Sequence, residues 1–309
     1  MKVGIAGSCS SVDRHVCVLE KINGISLSGR WSVNGEPDKA IELGTGRQEE
    51  PGHIIQNSDA LIITDPGCFY FELANLALRN AKHVFLYSSL IPSISDAFHL
   101  VKLGSEANVV LKCGRTGNYG VSGLIRMISD LKQIHMIEFQ HSVKLANSQP
   151  PELSAILLGD MEILSRLIHA RNTSVRVKGI SMFSVKPEVI NARMEYDDGT
   201  SVNYYCNTVS THDEHCLTLV LKEGMLRYDL RRNDLSGWQR NHTGTGSTSR
   251  LFENMTLEAG DCLYDDLSSF FAAIRSGPVS HSIYDHGFET IILTDRILEK
   301  VSKTLVRFI

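Results

Sequence analysis

The sequence holds no CxxC pair, no long apolar run and no surplus of one sign of charge, and each absence closes off a class of protein. Seven cysteines stand at positions 9, 17, 68, 113, 206, 216 and 262. Their odd number and irregular spacing fit neither a disulfide framework nor a zinc ribbon. No stretch approaches the roughly 18 consecutive apolar residues of a membrane span. The net charge is −4 and the basic residues are scattered, so no nucleic-acid partner is expected. No basic-then-apolar leader precedes the apolar run that begins at Val3, and a reducing cytoplasm is the expected home.

What is present is a chain of 309 residues with an ordinary share of apolar side chains, enough for one large or two ordinary domains. Val3-Gly4-Ile5-Ala6 reads as a buried strand that ends at Gly7, and Val12, Val16, Leu19 and Ile22 follow at helical spacing. Apolar strands at 25–31, 59–64, 82–87 and 108–113 alternate with helical stretches at 69–80 and 94–104. That alternation predicts a parallel, doubly wound sheet. Residues 33–52 are rich in Gly and Pro and read as loop around one short helical stretch.

Past about residue 120 the rhythm changes. A helix over 122–131, a strand over 136–145 and a long helix over 153–170 precede a run of strands between 174 and 229. The turns Asp197-Asp198-Gly199 and Lys222-Glu223-Gly224 predict hairpins, hence a mainly antiparallel open sheet. Residues 233–250 read as a polar loop, and two helices close the chain. The expected fold is therefore α/β: a Rossmann-like domain over residues 1–118 and an α+β domain over 119–309, with the C-terminal helices able to pack back on the first.

The segment DALIITDPGCFYFELANLALRNAKHVFLYSSL (59–90), the DDGT and KEGML hairpins at 197–200 and 222–226, and the DLSSFFAAIRSG helix (266–277) stand in an order that resembles the Gfo/Idh/MocA family of oxidoreductases. The resemblance covers nearly the whole chain. It implies an NAD or NADP coenzyme over the first domain, a sugar or cyclic polyol as substrate, a lysine and a histidine that handle the substrate proton, and homo-oligomers built through the second domain's sheet.

Carried over residue by residue, the phosphate turn falls on Gly7, Ser8, Cys9, Ser10 and Ser11, with Val12 where the last glycine stands. A Cβ at the second glycine lies between backbone and pyrophosphate, while serine hydroxyls and a helix N-terminus remain anion donors. The ribose position falls on Ser32 with Arg30 nearby, a pair that favours NADP over NAD if any coenzyme binds; Asp65 and Pro66 follow the next strand. Where the family has Glu-Lys-Pro this chain has Tyr87-Ser88-Ser89, and where it has His-Asp it has Gly159-Asp160. Tyr87, Asp160 and Lys112 are thus the candidate proton carriers, and Arg115, Asn118 and Tyr119 the candidate substrate contacts. His212 and His215 have a metal-like look in the turn THDEH, but two histidines and their neighbouring acids do not make a zinc set, and no metal is expected. Two functions follow: an oxidoreductase with impaired hydride transfer, or a non-catalytic binding or accessory protein on the same scaffold.

Overall fold

The computed structural model describes residues 1–32, 51–64, 70–87, 94–114, 119–129, 134–145, 152–243, 246–257, 262–277 and 286–308. The chain divides into two compact units, residues 1–117 with 261–292 and residues 118–260 with 293–309.

The first unit follows the α/β alternation. Its elements are β1 (Lys2–Gly7), α1 (Cys9–Leu19), β2 (Ser26–Ser32), α2 (Pro51–Asn57), β3 (Ala60–Ile63), α3 (Tyr70–Arg79), β4 (His83–Tyr87), α4 (Ile94–Glu106) and β5 (Leu111–Gly114). The five strands form one sheet in the order β2-β1-β3-β4-β5, and every pair is parallel. Helices cover both faces of such a sheet, which is why VGIA, ALII and VFL are continuous apolar runs; all of them are buried. The strand order reverses between β1 and β3, and ligands of doubly wound sheets bind outside the carboxyl ends at that switch point. Gly7 ends β1 there, and the Thr64 amide just past β3 donates to the Ala6 carbonyl at 2.9 Å.

The second unit is α5 (Tyr119–Ser129), β6 (Ile134–Lys144), α6 (Leu153–Leu167), β7 (Asn172–Ser181), β8 (Val189–Tyr196), β9 (Ser201–Ser210), β10 (Glu214–Leu221), β11 (Gly224–Asp229), β12 (Asp234–Thr243) and β13 (Gly246–Thr256). Of the two closing helices, α7 (Cys262–Ser276) returns to the first unit, where Leu267, Phe270 and Phe271 join Val3, Ile5 and Val12 in one core. Ile297 and Val301 of α8 (His286–Thr304) belong to the second core, and a short β14 (Val306–Arg307) follows.

The second sheet has nine strands, β13-β12-β11-β10-β6-β9-β8-β7-β14. Most pairs are antiparallel; β6 with β9 and β14 with β7 are parallel. Inward positions alternate along the central strands: Ile137, Phe139 and His141 on β6, Val202, Tyr204 and Cys206 on β9, His215, Leu217 and Leu219 on β10. The outward positions Glu138, Gln140, Arg193 and Glu195 are exposed, as are Tyr205, Met225 and Trp238, giving this sheet one packed face and one solvent-facing face of mixed polarity.

Residues 233–250, expected as a loop, form most of the edge hairpin β12–β13. The pairing is carried by backbone, not by apolar side chains: Leu235 and Phe252 are buried, while Trp238 and Leu251 are exposed. A register shift between Leu235 and Gly237 breaks the alternation a sequence reader relies on.

Candidate functional site

In the first unit residues 7–12, expected as the phosphate turn, sit at the switch point. Ser8 is the N-cap of α1 in extended conformation, its side chain making no capping bond, and Val12 N–H is bonded to Ser8 O at 2.9 Å. The amides of the turn before Val12 therefore have no helical acceptor. Cys9 opens the helix; Ser10 is exposed and Ser11 half-buried. Val12, at the third-glycine position, is buried in the core with Val3 and Ile5. Ser32 ends β2 as the register partner of Gly7, so the expected ribose and phosphate positions are adjacent in the sheet. Arg30 is directed to Asp13 on α1, with Nη1 3.4 Å from Oδ1. These residues fit an anion held by α1 amides and by the Ser10 and Ser11 hydroxyls, but they do not reproduce a three-glycine cradle. Asp65, Pro66, Arg115 and Asn118 lie outside the described residues, and Tyr119 is placed only as the first residue of α5.

Tyr87 ends β4, register partner of Gly114 on β5. Its hydroxyl is 2.8 Å from His15 Nε2. The other ring nitrogen of His15 lies 2.7 Å from Ser11 O. A carbonyl only accepts, so Nδ1 carries a proton, and in the neutral ring Nε2 accepts from the tyrosine. His15, buried on α1, was not among the sequence candidates. Lys112 is half-buried on β5 opposite Phe85.

Asp160 gathers the densest polar cluster of the second unit. On α6 the inward stripe is Leu153, Leu157, Asp160, Met161 and Leu164, so the helix period carries a carboxylate into a leucine face. Opposite it stand β10, β6 and β9, adjacent in the sheet. Register places His215 opposite His141 and His141 opposite Cys206. His141 Nδ1 lies 2.9 and 3.0 Å from the two carboxylate oxygens. His215 Nε2 lies 2.9 Å from Oδ1, and Tyr204 donates its hydroxyl to Oδ2 at 2.8 Å. The imidazoles stack, with centroids 3.8 Å apart and planes 18° apart. The Asp160 side chain is 2% exposed, those of His141 and His215 19% and 14%.

The electrostatics follow from that burial. Desolvation pushes the Asp160 carboxyl up, but hydrogen bonds from His141 and His215, with their charge, outweigh it and hold the group below the usual carboxylate range. Tyr204, fully buried beside that carboxylate, is raised well above an ordinary phenol. Burial, with the Asp160 charge added, pushes the Cys206 thiol up to about 12. Asp160 is thus an anion with neutral acids beneath it and two histidines at its more exposed side, an arrangement able to accept and return a proton.

His141 and His215 were missed as partners of Asp160. The signal was available: an acid on an apolar stripe requires donors, and both histidines share the inward parity of Phe139 and Leu217. Local spacing pointed instead to His212, which is exposed and 3.8 Å from Glu214, not part of the cluster. At Gly159, where the resemblance expects a histidine, a Cβ would meet nothing within 4 Å.

No protein-family model matches the chain. It is similar to the UDP-N-acetylglucosamine 3-dehydrogenase of Acidithiobacillus ferrooxidans, 20% identical over 263 residues that cover 81% of this chain and 82% of that protein. A solved structure of an enzyme of that name and organism superimposes with a TM-score of 0.76 at 18% identity, covering 98% of both chains. An NAD-binding protein from Listeria innocua gives 0.74 at 14% identity, again over 98% of each chain. An oxidoreductase from Pseudomonas syringae gives 0.72 at 16%, over 98% and 97%. The chain has the fold of Gfo/Idh/MocA-type oxidoreductases, a Rossmann-like domain followed by an α+β domain. No helix among the described residues is long and apolar enough to cross a membrane.

Proposed function

We propose that the chain is an NAD(P)-dependent oxidoreductase of the Gfo/Idh/MocA type, acting on a sugar or cyclic polyol and slow in hydride transfer. The slowness follows from residues: Cys9 and Val12 stand for two phosphate-turn glycines, and the EKP lysine and the helix histidine are absent. What supports an enzyme over a bare scaffold is the His141–Asp160–His215 cluster. It sets two imidazoles against the residue that follows the missing histidine, so the acid–base function has moved from helix to sheet.

When bound, the coenzyme supplies the hydride acceptor for the carbon that bears the reacting hydroxyl. The hydroxyl proton passes to an imidazole of the cluster, whose imidazolium form Asp160 stabilises. Tyr204 keeps the carboxylate oriented and, with its raised pKa, stays protonated throughout. On the coenzyme side, the α1 amides with Ser10 and Ser11 would hold a phosphate, and Ser32, with Arg30 nearby on the same strand, would take the ribose position, favouring NADP. Tyr87 and Lys112 are secondary candidates as proton carriers, and Arg115, Asn118 and Tyr119 as substrate contacts. The outer face of the second sheet is the surface proposed for homo-oligomer formation, and the cytoplasm is the proposed compartment.

The test is a panel of sugars, nucleotide sugars and cyclic polyols with NAD and NADP, followed by nicotinamide absorbance, on wild type and His215→Gln. Turnover that falls by about 10²–10⁴ in the variant, with coenzyme affinity unchanged, is the expected result. Turnover indifferent to His215 would remove the cluster from the mechanism. A second reading, a non-catalytic binding protein, is favoured by the loss of the EKP lysine together with the burial of Val12; it predicts coenzyme or sugar binding without turnover.

A further inference from the structure

We propose that His141, Asp160 and His215 form a binding site for a divalent transition metal, zinc being the best match. Their ligating atoms lie within 4.8 Å of one another, and two imidazoles with one carboxylate are a donor set that suits zinc. Three protein ligands leave a fourth position for water or a hydroxyl-bearing ligand, as in open zinc sites. The carboxylate is buried and its pKa is lowered, so a cation would meet a group that is already ionised. The histidine edges are partly exposed, which gives an entry path that the buried carboxylate alone would lack. Phe139 packs against both Tyr204 and His215, with centroids 5.5 Å away in each case, and Tyr204 bonds Oδ2. The carboxylate thereby has the outer-group support that ligands of metal sites carry.

The cluster has two arrangements. Without metal, the histidine N–H groups point at the carboxylate and the rings stack. Bonds of about 2.0–2.2 Å in tetrahedral geometry set neighbouring donors roughly 3.4 Å apart, wider than the 2.9–3.0 Å seen here. The stacked planes, 18° apart, do not aim both lone pairs at one point, so one ring turns as the metal enters. Each neutral imidazole then shifts its proton to its other nitrogen. With both lone pairs on the metal, neither imidazole accepts a substrate proton. Zinc occupancy and the proton-accepting role proposed above exclude one another.

The experiment is calorimetric titration of chelator-treated full-length protein with Zn²⁺, without coenzyme or substrate, alongside Co²⁺ absorbance in the visible. The expected result is one zinc per chain and a tetrahedral cobalt spectrum. Affinity should fall by more than about tenfold in His141→Gln and in His215→Gln and stay unchanged in His212→Gln. Circular dichroism confirms that each variant is folded. No saturable binding below millimolar zinc, or binding that survives both cluster variants, or binding lost in His212→Gln, overturns the proposal. Because no turnover is measured, failure here leaves the oxidoreductase reading standing, and an inactive protein that binds zinc leaves the metal site standing.

Discussion

Replacing Asp160 by asparagine keeps the shape of the side chain and removes its charge. In the native protein that carboxylate receives donors from His141, His215 and Tyr204, and a hydrogen bond to a charged group is worth about 1.5–3 kcal/mol net. Burying the charge costs several kcal/mol in return, and the amide retains one acceptor oxygen. Its NH₂ group meets a donor where an acceptor stood. Breaking a buried pair by removing one partner costs about 3–5 kcal/mol, and we expect Asp160→Asn to lose about 3 kcal/mol near neutral pH. The pH dependence has a definite sign. The native pKa of Asp160 is lowered, so its contribution is complete above the ordinary carboxylate range and is lost as the pH falls through the lowered native value. The deficit of the variant should therefore shrink in acid. Urea unfolding of wild type and variant at about pH 7 and about pH 3 measures both quantities. A variant within about 0.5 kcal/mol of wild type at neutral pH, as for a surface change, or a deficit equally large in acid, would refute the reasoning.

Two further substitutions address glycines. A Cβ at Gly159 meets nothing within 4 Å, so Gly159→Ala should fold and gain about 0.5–1 kcal/mol from helix propensity; a thermal melt that shows marked destabilisation contradicts the open space. Gly237 has φ +143° and an added Cβ would lie 2.1 Å from Met225 O on β11, so Gly237→Ala should cost about 3 kcal/mol, read by urea unfolding, with wild-type-like stability as the contrary result.

The first unit was readable in the sequence because a parallel strand buried on both faces has no polar interruption. Ile5, Ile62 and Phe85 announce their strands wherever the surrounding helices pack. The β12–β13 hairpin was unreadable for the opposite reason. It lies at the edge of its sheet, its side chains Gln239 and Arg240 gain little from burial, and Gly237 shifts the register. Its stability is in backbone pairing, which leaves no periodic mark. The cluster around Asp160 was half readable. Asp160 stood out as the residue next to the position where the resemblance expects a histidine. Its partners come from positions 141, 204 and 215, and only the pairing of β6 with β9 and β10 brings them together. That β6–β9 pair is parallel, joins strands distant in sequence, and has no turn signal to betray it. Spacing along the chain pairs His215 with His212, whereas the fold pairs His215 with His141 across the sheet.

The claim on which the proposed function rests is that the first unit holds a nicotinamide coenzyme at the β1/β3 switch point, although Cys9 and Val12 stand where the resemblance expects glycines. Titration of the full-length protein with NADPH and NADH, followed by Trp31 fluorescence and by heat, tests it most directly. The account predicts saturable one-site binding, tighter for NADPH and tightened further in Cys9→Gly. No saturation of either coenzyme at millimolar concentration, in wild type and in Cys9→Gly alike, would contradict it.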